Sequence, residues 1–268
     1  MENARELVLL KLGGSLITDK SQPLTAREDI IQQLAQEVAA YHAAHPETKL
    51  ILGHGSGSFG HAIASHYQTQ KGVLSSSEWQ GFAEVWAAAH QLNQIVIRQF
   101  AAAGLPVMTF PPSAGIIADR GEVISWDLTP LQTALSHDLI PVVLGDVIFD
   151  RSLGGTIFST EKVFQHLARI LKPTRILLAG IEKGVYQSSD HPDKIIETIK
   201  PGNLAKISQQ VSGSHQVDVT GGMETKVGLM VDLVRENPSL MVRIFSAEAP
   251  GSLRDALEGA KLGTLIAA

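Results

Sequence analysis

The run Gly53-His54-Gly55-Ser56-Gly57-Ser58-Phe59-Gly60-His61 decides how this chain is read. It follows an apolar segment, Leu50-Ile51-Leu52, and precedes a helix expected to start near His61. Small residues over so many positions let the backbone approach a ligand and let its amides point inward. A helix that begins directly after such a loop adds partial positive charge, and the combination suits an anion such as phosphate. His61 closes the run, where its imidazole can reach the same anion. Taken alone, the stretch is equally a plain strand-to-helix turn.

A second element changes the balance. Lys11-Leu12-Gly13-Gly14-Ser15 directly follows Leu7-Val8-Leu9-Leu10, and Lys20 lies nine positions after Lys11. Two glycine-rich turns after two strands, with two lysines and a histidine nearby, make a layout for phosphoryl transfer. Backbone amides hold oxygens while cations offset the charge on the moving group. The chain has no G-x-x-x-x-G-K-[ST] loop. Gly55 to Gly60 spells G-x-G-x-x-G, but no acidic residue stands about twenty positions on, where Ser75-Ser76-Ser77 lies.

Further motifs run to the far end: Gly145-Asp146-Val147, Asp150-Arg151 with Leu153-Gly154, and Asp218-Val219-Thr220-Gly221-Gly222-Met223 with Lys226. With these the chain resembles the amino acid kinase superfamily, and within it the isopentenyl phosphate kinases. The Ser-Phe-Gly-His ending of the second loop favours that branch, although fosfomycin-modifying kinases share much of the loop. The resemblance implies the amino acid kinase fold, a three-layer αβα open sandwich with a mainly parallel central sheet. It implies an N-terminal lobe, residues 1–172, for the acceptor and dimerisation, and a C-terminal lobe, residues 173–268, for the nucleotide. It also implies ATP with Mg2+, isopentenyl phosphate as acceptor, and a homodimer.

By the same resemblance Lys11 contacts the donor phosphates and Lys20 stabilises the transition state. Gly13, Gly14, Ser15 and Gly57 hold ATP phosphates, while Ser56 and His61 hold the acceptor phosphate. Gly222 and Lys226, at a turn opening a helix, suit the β- or γ-phosphate. Gly155 places an amide against the acceptor. Asp146, after a buried strand and Gly145, is placed to orient Lys11 or Lys20, or to hold magnesium. Ser159-Thr160-Glu161 stands where relatives carry aspartate, so Glu161 receives no role. Ala179 to Tyr186 departs from the superfamily's Thr-Asp-Val-Asp-Gly-Val-Tyr, which leaves the base preference open. His54 is expected to be structural. Phe82, Val85, Trp86 and Ala89 form a helical stripe that either faces an isoprenoid tail, with Phe82 and Val85 as its contacts, or packs the core. No arginine or paired carboxylate in this region is arranged for an amino acid substrate. An acceptor that is already an anionic phosphate needs no general base, so the site is expected to carry cations and amides and to lack a catalytic carboxylate aimed at the acceptor; no residue is assigned as a metal ligand.

The 268 residues suffice for one large α/β domain or two closely joined lobes. The 22 basic and 27 acidic residues leave a net charge of −5, with no footprint for nucleic acid or an anionic membrane. The chain lacks cysteine, and its apolar runs are too short for a signal segment or membrane span, which predicts a soluble cytoplasmic protein. Compact apolar runs at Leu7, Leu50, Pro106, Pro141, Arg175 and Met241 predict strands. Helical segments between them predict a mostly parallel sheet covered on both faces, with ligands beyond the strands' carboxyl ends. Thr25 with Glu28 is expected to form a capping box, and Thr129 an N-cap. The remaining readings are a fosfomycin-type or other small phosphonate or phosphate kinase, and a nucleotide-binding regulatory protein without turnover.

Overall fold

Each apolar run expected to be a strand is one. The computed structural model describes residues 6–187, 194–203 and 222–268, without the side chains of His61 and Ala62. The loops expected at Gln187–Lys194 and around Ser212–Ser214, and the start of the Asp218–Met223 motif, fall wholly or largely outside the described residues. The main sheet has eight strands: β1 (Leu7–Leu12), β2 (Lys49–His54), β3 (Val107–Thr109), β6 (Ile140–Leu144), β9 (Arg175–Gly180), β10 (Thr198–Ile199), β11 (Met241–Ser246) and β12 (Thr264–Ile266). Their order is β10-β12-β11-β9-β1-β2-β6-β3, and β11 with β12 is the antiparallel pair. The boundary expected near Pro173-Thr174 falls just before β9, which pairs directly with β1, so one sheet runs through both halves of the chain.

Alternation along the strands sorts the core into two layers. Val8, Leu10, Leu12, Leu50 and Leu52 pack with α2 (Glu28–Ala44), the later turns of α4 (Ser76–Ala102) and α8 (Ser252–Leu257). Leu9, Ile51, Val143 and Ile176 face α5 (Thr129–Ser136), α6 (Thr160–Leu171) and α7 (Gly222–Glu236). This arrangement is the three-layer αβα sandwich with a mainly parallel sheet. Lys11 falls on the same face as Leu9, two residues before it in β1, and is 7% exposed. Its partner across the sheet is Gly53. A Cβ on Gly53 would stand 2.7 Å from the Phe164 ring and 2.8 Å from Thr160. The missing side chain therefore lets the first turn of α6 close onto the end of β2.

Several local expectations need correction. The helix of the second glycine run, α3 (Gly57–Tyr67), starts four residues before His61. Arg27, with no side-chain cap, precedes α2, and Thr25 donates to Pro23 O instead. The complete capping box belongs to Ser75 and Glu78 at the start of α4. Thr129 is the first residue of α5, and Leu128 is its N-cap. Asp146 lies just past the buried strand β6, but it is not in a loop there. It opens β7 (Asp146–Asp150) in a separate four-stranded sheet with β4 (Ile117–Asp119), β5 (Glu122–Ser125) and β8 (Gly154–Phe158), ordered β5-β4-β7-β8.

Asp150 fastens this small sheet. Its carboxylate accepts the amides of Arg120 (3.1 Å), Gly121 (2.7 Å), Ser152 (2.9 Å) and Leu153 (2.8 Å). Burial pushes the carboxyl up, but these four donors outweigh it and hold it below the ordinary 3.8. Its contribution is therefore present above that value and lost as pH falls through the depressed one. Asp150→Ala leaves four donors without their acceptor and should destabilise the chain by about 3 kcal/mol in a urea melt. An unchanged midpoint would show that water replaces the carboxylate at little cost.

Candidate active site

The two glycine loops touch. A Cβ on Gly14 would stand 2.6 Å from Gly57 Cα, and one on Gly55 would stand 2.9 Å from Gly14 N. Gly57 has φ +49, a backbone that favours glycine. Gly13 N donates to Ala179 O at 2.7 Å and Gly55 N to Leu12 O at 3.0 Å, which anchors each loop to the sheet. Gly14 and Ser15 open the short helix α1 (Gly14–Ile17), while Ser56 caps α3 and Gly57 begins it. Their four amides have no backbone acceptor among the described residues, so they remain available to an anion.

Beneath the loops lies a charged cluster that the sequence reading assembled only in part. Lys11 Nζ donates to Glu161 Oε1 at 2.6 Å, and Lys226 Nζ lies 3.9 Å from the same oxygen. Ser159 caps α6 and sets Glu161 in its first turn, while Thr160 Oγ1 donates to His54 O at 2.7 Å. Burial would push the Glu161 carboxyl up, but Lys11 and Lys226 hold it below the ordinary 4.5. Burial, then the neighbouring Lys11, depress Lys226 below the ordinary 10.5. Two cations thus share one carboxylate, leaving a surplus of positive charge facing the loops.

Glu161, not Asp146, is the carboxylate on Lys11. Asp146 accepts Ser113 N at 3.1 Å, Val147 N at 2.9 Å and His90 Nε2 at 3.3 Å. His90 in turn packs against Trp86, with ring centroids 4.4 Å apart. Asp146 therefore ties α4 to the small sheet. Signals for both roles exist in the sequence: Glu161 follows a Ser N-cap, and His90 lies one turn beyond Trp86 and Asn93 two turns beyond it. His54 is structural as expected. It is 1% exposed and pairs with Asn93 at 3.1 Å, and burial lowers its pKa.

Lys20 stands elsewhere. It is exposed and lines an open pocket of about 370 Å³ with Ser15, Thr18, Asp19, Arg27, Ile181 and Glu248. Arg27 Nη1 and Glu248 Oε1 lie 3.7 Å apart at this pocket. Its charge is near enough to Lys226 to help lower that pKa. Phe82 and Val85 are 6% and 4% exposed and pack with Ala64, Val73 and Val147 between α3, α4 and β7. Gly155 meets this cluster, since a Cβ there would stand 2.6 Å from the Phe82 ring. The His61 backbone lies in α3, and its side chain lies outside the described residues.

No cluster of three His, Asp or Glu residues able to hold a metal ion occurs among the described residues. Glu161, the carboxylate of the lysine cluster, is already engaged by two lysines. These side chains do not form a magnesium cage. No helix among the described residues is long and apolar enough to cross a membrane.

The chain belongs to the amino acid kinase family, whose model matches residues 6–246. It is 32% identical over 267 residues to the isopentenyl phosphate kinase of Methanocaldococcus jannaschii, covering 97% of this chain and 98% of that one. The isopentenyl phosphate kinase of Methanothermobacter thermautotrophicus is 31% identical over 272 residues, at the same coverage. A crystal structure of an isopentenyl phosphate kinase matches with a TM-score of 0.81 at 28% identity, over 97% of this chain and 99% of that one.

Proposed function

We propose that the protein transfers the γ-phosphoryl group of ATP directly to the phosphate of isopentenyl phosphate, giving isopentenyl diphosphate and ADP. The relatives named above support the acceptor. The observation that carries the chemistry is the pairing of two contacting glycine loops with a cation cluster whose one carboxylate is already engaged. Such a site offsets charge and does not abstract a proton, which suits an acceptor that arrives ionised.

Lys11 and Lys226 hold the donor phosphates, with Glu161 setting their spacing. Gly14, Ser15, Gly57 and Gly222 supply amides to the same oxygens, whereas the Gly13 amide already donates to Ala179 O and serves to anchor the loop. Ser56 and His61 take the acceptor phosphate, and Phe82 and Val85 form the wall against its five-carbon tail; the Gly155 amide expected there donates instead to Leu153 O at 2.8 Å. Lys20 bridges donor and acceptor as the phosphoryl group moves. Asp146 acts at one remove, by fixing α4 and Ser113. Magnesium would enter with the triphosphate and would supply neutralising charge to the donor there. Residues 1–172 serve the acceptor and form a homodimer through their helices, and residues 173–268 serve the nucleotide, in a cytoplasmic enzyme.

The test is ADP release with magnesium-ATP against isopentenyl phosphate, dimethylallyl phosphate and fosfomycin side by side. Turnover confined to the isoprenoid phosphates is expected, and turnover with fosfomycin alone would overturn the acceptor. His61→Ala should cut kcat/KM for isopentenyl phosphate by about a hundredfold. Full activity in that variant would remove His61 from the site.

A further inference from the structure

Thr18 has no part in the roles above, yet its hydroxyl bonds to both glycine loops. Thr18 Oγ1 donates to Gly14 O at 2.7 Å and accepts from Ser58 N at 3.0 Å. The residue is 1% exposed. There is no slack around it, since a Cβ on Gly57 would collide with this hydroxyl and stand 2.8 Å from Cγ2. Thr18 also pairs with Ala26 in an antiparallel bridge, and Asp19 N donates to Thr25 O at 2.9 Å. These contacts close the base of the hairpin that carries Lys20, and Ser58 Oγ reaches the same Thr25 O at 3.4 Å.

We propose that Thr18 is a positioning residue for phosphoryl transfer, its hydroxyl fixing the separation between the donor loop at Gly13–Ser15 and the acceptor end of α3. The proposal rests on the kinase reading given above. A group at this point must donate to a carbonyl and accept from an amide at once, and a hydroxyl is the neutral side-chain group that does both from one atom. The β-branch stiffens χ1, and the methyl packed towards Gly57 holds the hydroxyl in its bridging rotamer. In-line transfer needs the reacting atoms about 3–3.5 Å apart, so a small drift between the loops is costly. Because the same residue anchors the hairpin base, it also sets where Lys20 stands relative to both loops.

The test compares Thr18→Val, Thr18→Ala and Thr18→Ser in the full chain. Thr18→Val should lower kcat by about a hundredfold. KM for ATP and for isopentenyl phosphate should each stay near wild type, because each loop still binds its own ligand. Thr18→Ser should recover most of kcat. The Ser58 amide should exchange with solvent deuterium faster in the valine and alanine variants and at the wild-type rate in the serine variant. A valine variant with wild-type kcat, or one that loses affinity for both ligands with kcat intact, overturns the proposal. Thr18→Ala, which adds no methyl against Gly57, replaces the valine variant if that chain does not fold. Should the wild type turn over no isoprenoid phosphate, the kinase reading falls. The exchange arm still decides the bridge, and an unchanged Ser58 rate in Thr18→Ala refutes it.

Discussion

Glu161→Gln lowers kcat by about a hundredfold while ATP binds as well as before or better. The carboxylate holds Lys11 Nζ at 2.6 Å and draws Lys226 to 3.9 Å, so it fixes where two positive charges sit. It also competes with the triphosphate for them. Glutamine keeps the shape and an acceptor but loses the charge, so the lysines bind phosphate more avidly in a less defined geometry. The alkaline limb of the pH profile should move to lower pH. Lys226 is already depressed by burial and by Lys11, and Glu161 is among the groups that oppose that shift. Without it the lysine loses its proton earlier as pH rises. Glu161→Ala removes the acceptor altogether and should cost about 3 kcal/mol of stability, part of it restored by ATP. Steady-state kinetics across pH, with melting curves at graded ATP, separate these effects. A variant whose ATP affinity collapses while kcat holds would make Glu161 a binding residue only.

Lys20→Ala gives the second large effect, a loss in kcat of about 10²–10³ with the melting temperature unchanged. Lys20 is exposed in its hairpin, two residues past the Thr18–Ala26 bridge, and makes no ion pair among the described residues, so its removal disturbs no packing. Its charge matters when two phosphates approach each other, and such an interaction appears in kcat more than in ATP affinity. Rapid-quench measurement of the transfer step, beside ATP titration of the same variant, checks this. Equal losses in both would reduce Lys20 to a docking charge.

The sheet and its two glycine loops were legible because Leu7–Leu10, Leu50–Leu52 and Ile176–Leu178 are continuous apolar runs, buried on both faces apart from Leu7. The small sheet was not. β7 begins and ends in aspartate, a residue rare in strands, and these carboxylates serve loop amides from Ser113, Arg120 and Gly121. β4 and β12 are three residues long and β10 two, too short to show a period. The start of α3 was misplaced because Gly57 and Ser58 spell a loop, yet the touching loops hold them helical. Lys11 and Lys226 were found by motif. Their carboxylate was sought in Asp146 because a buried strand precedes it, but Gly53 admits α6 to the end of β2 and so delivers Glu161.

The central place of β1 bears on how the chain is made. Of the sheet's strands β1 is made first, and β2, complete at His54, joins one side of it. Its other side waits for β9, beginning at Arg175, and the last cation of the cluster follows at Lys226. Until β9 is made, the nascent chain carries an open hydrogen-bonding edge along a strand of four consecutive apolar residues, a template for mispairing.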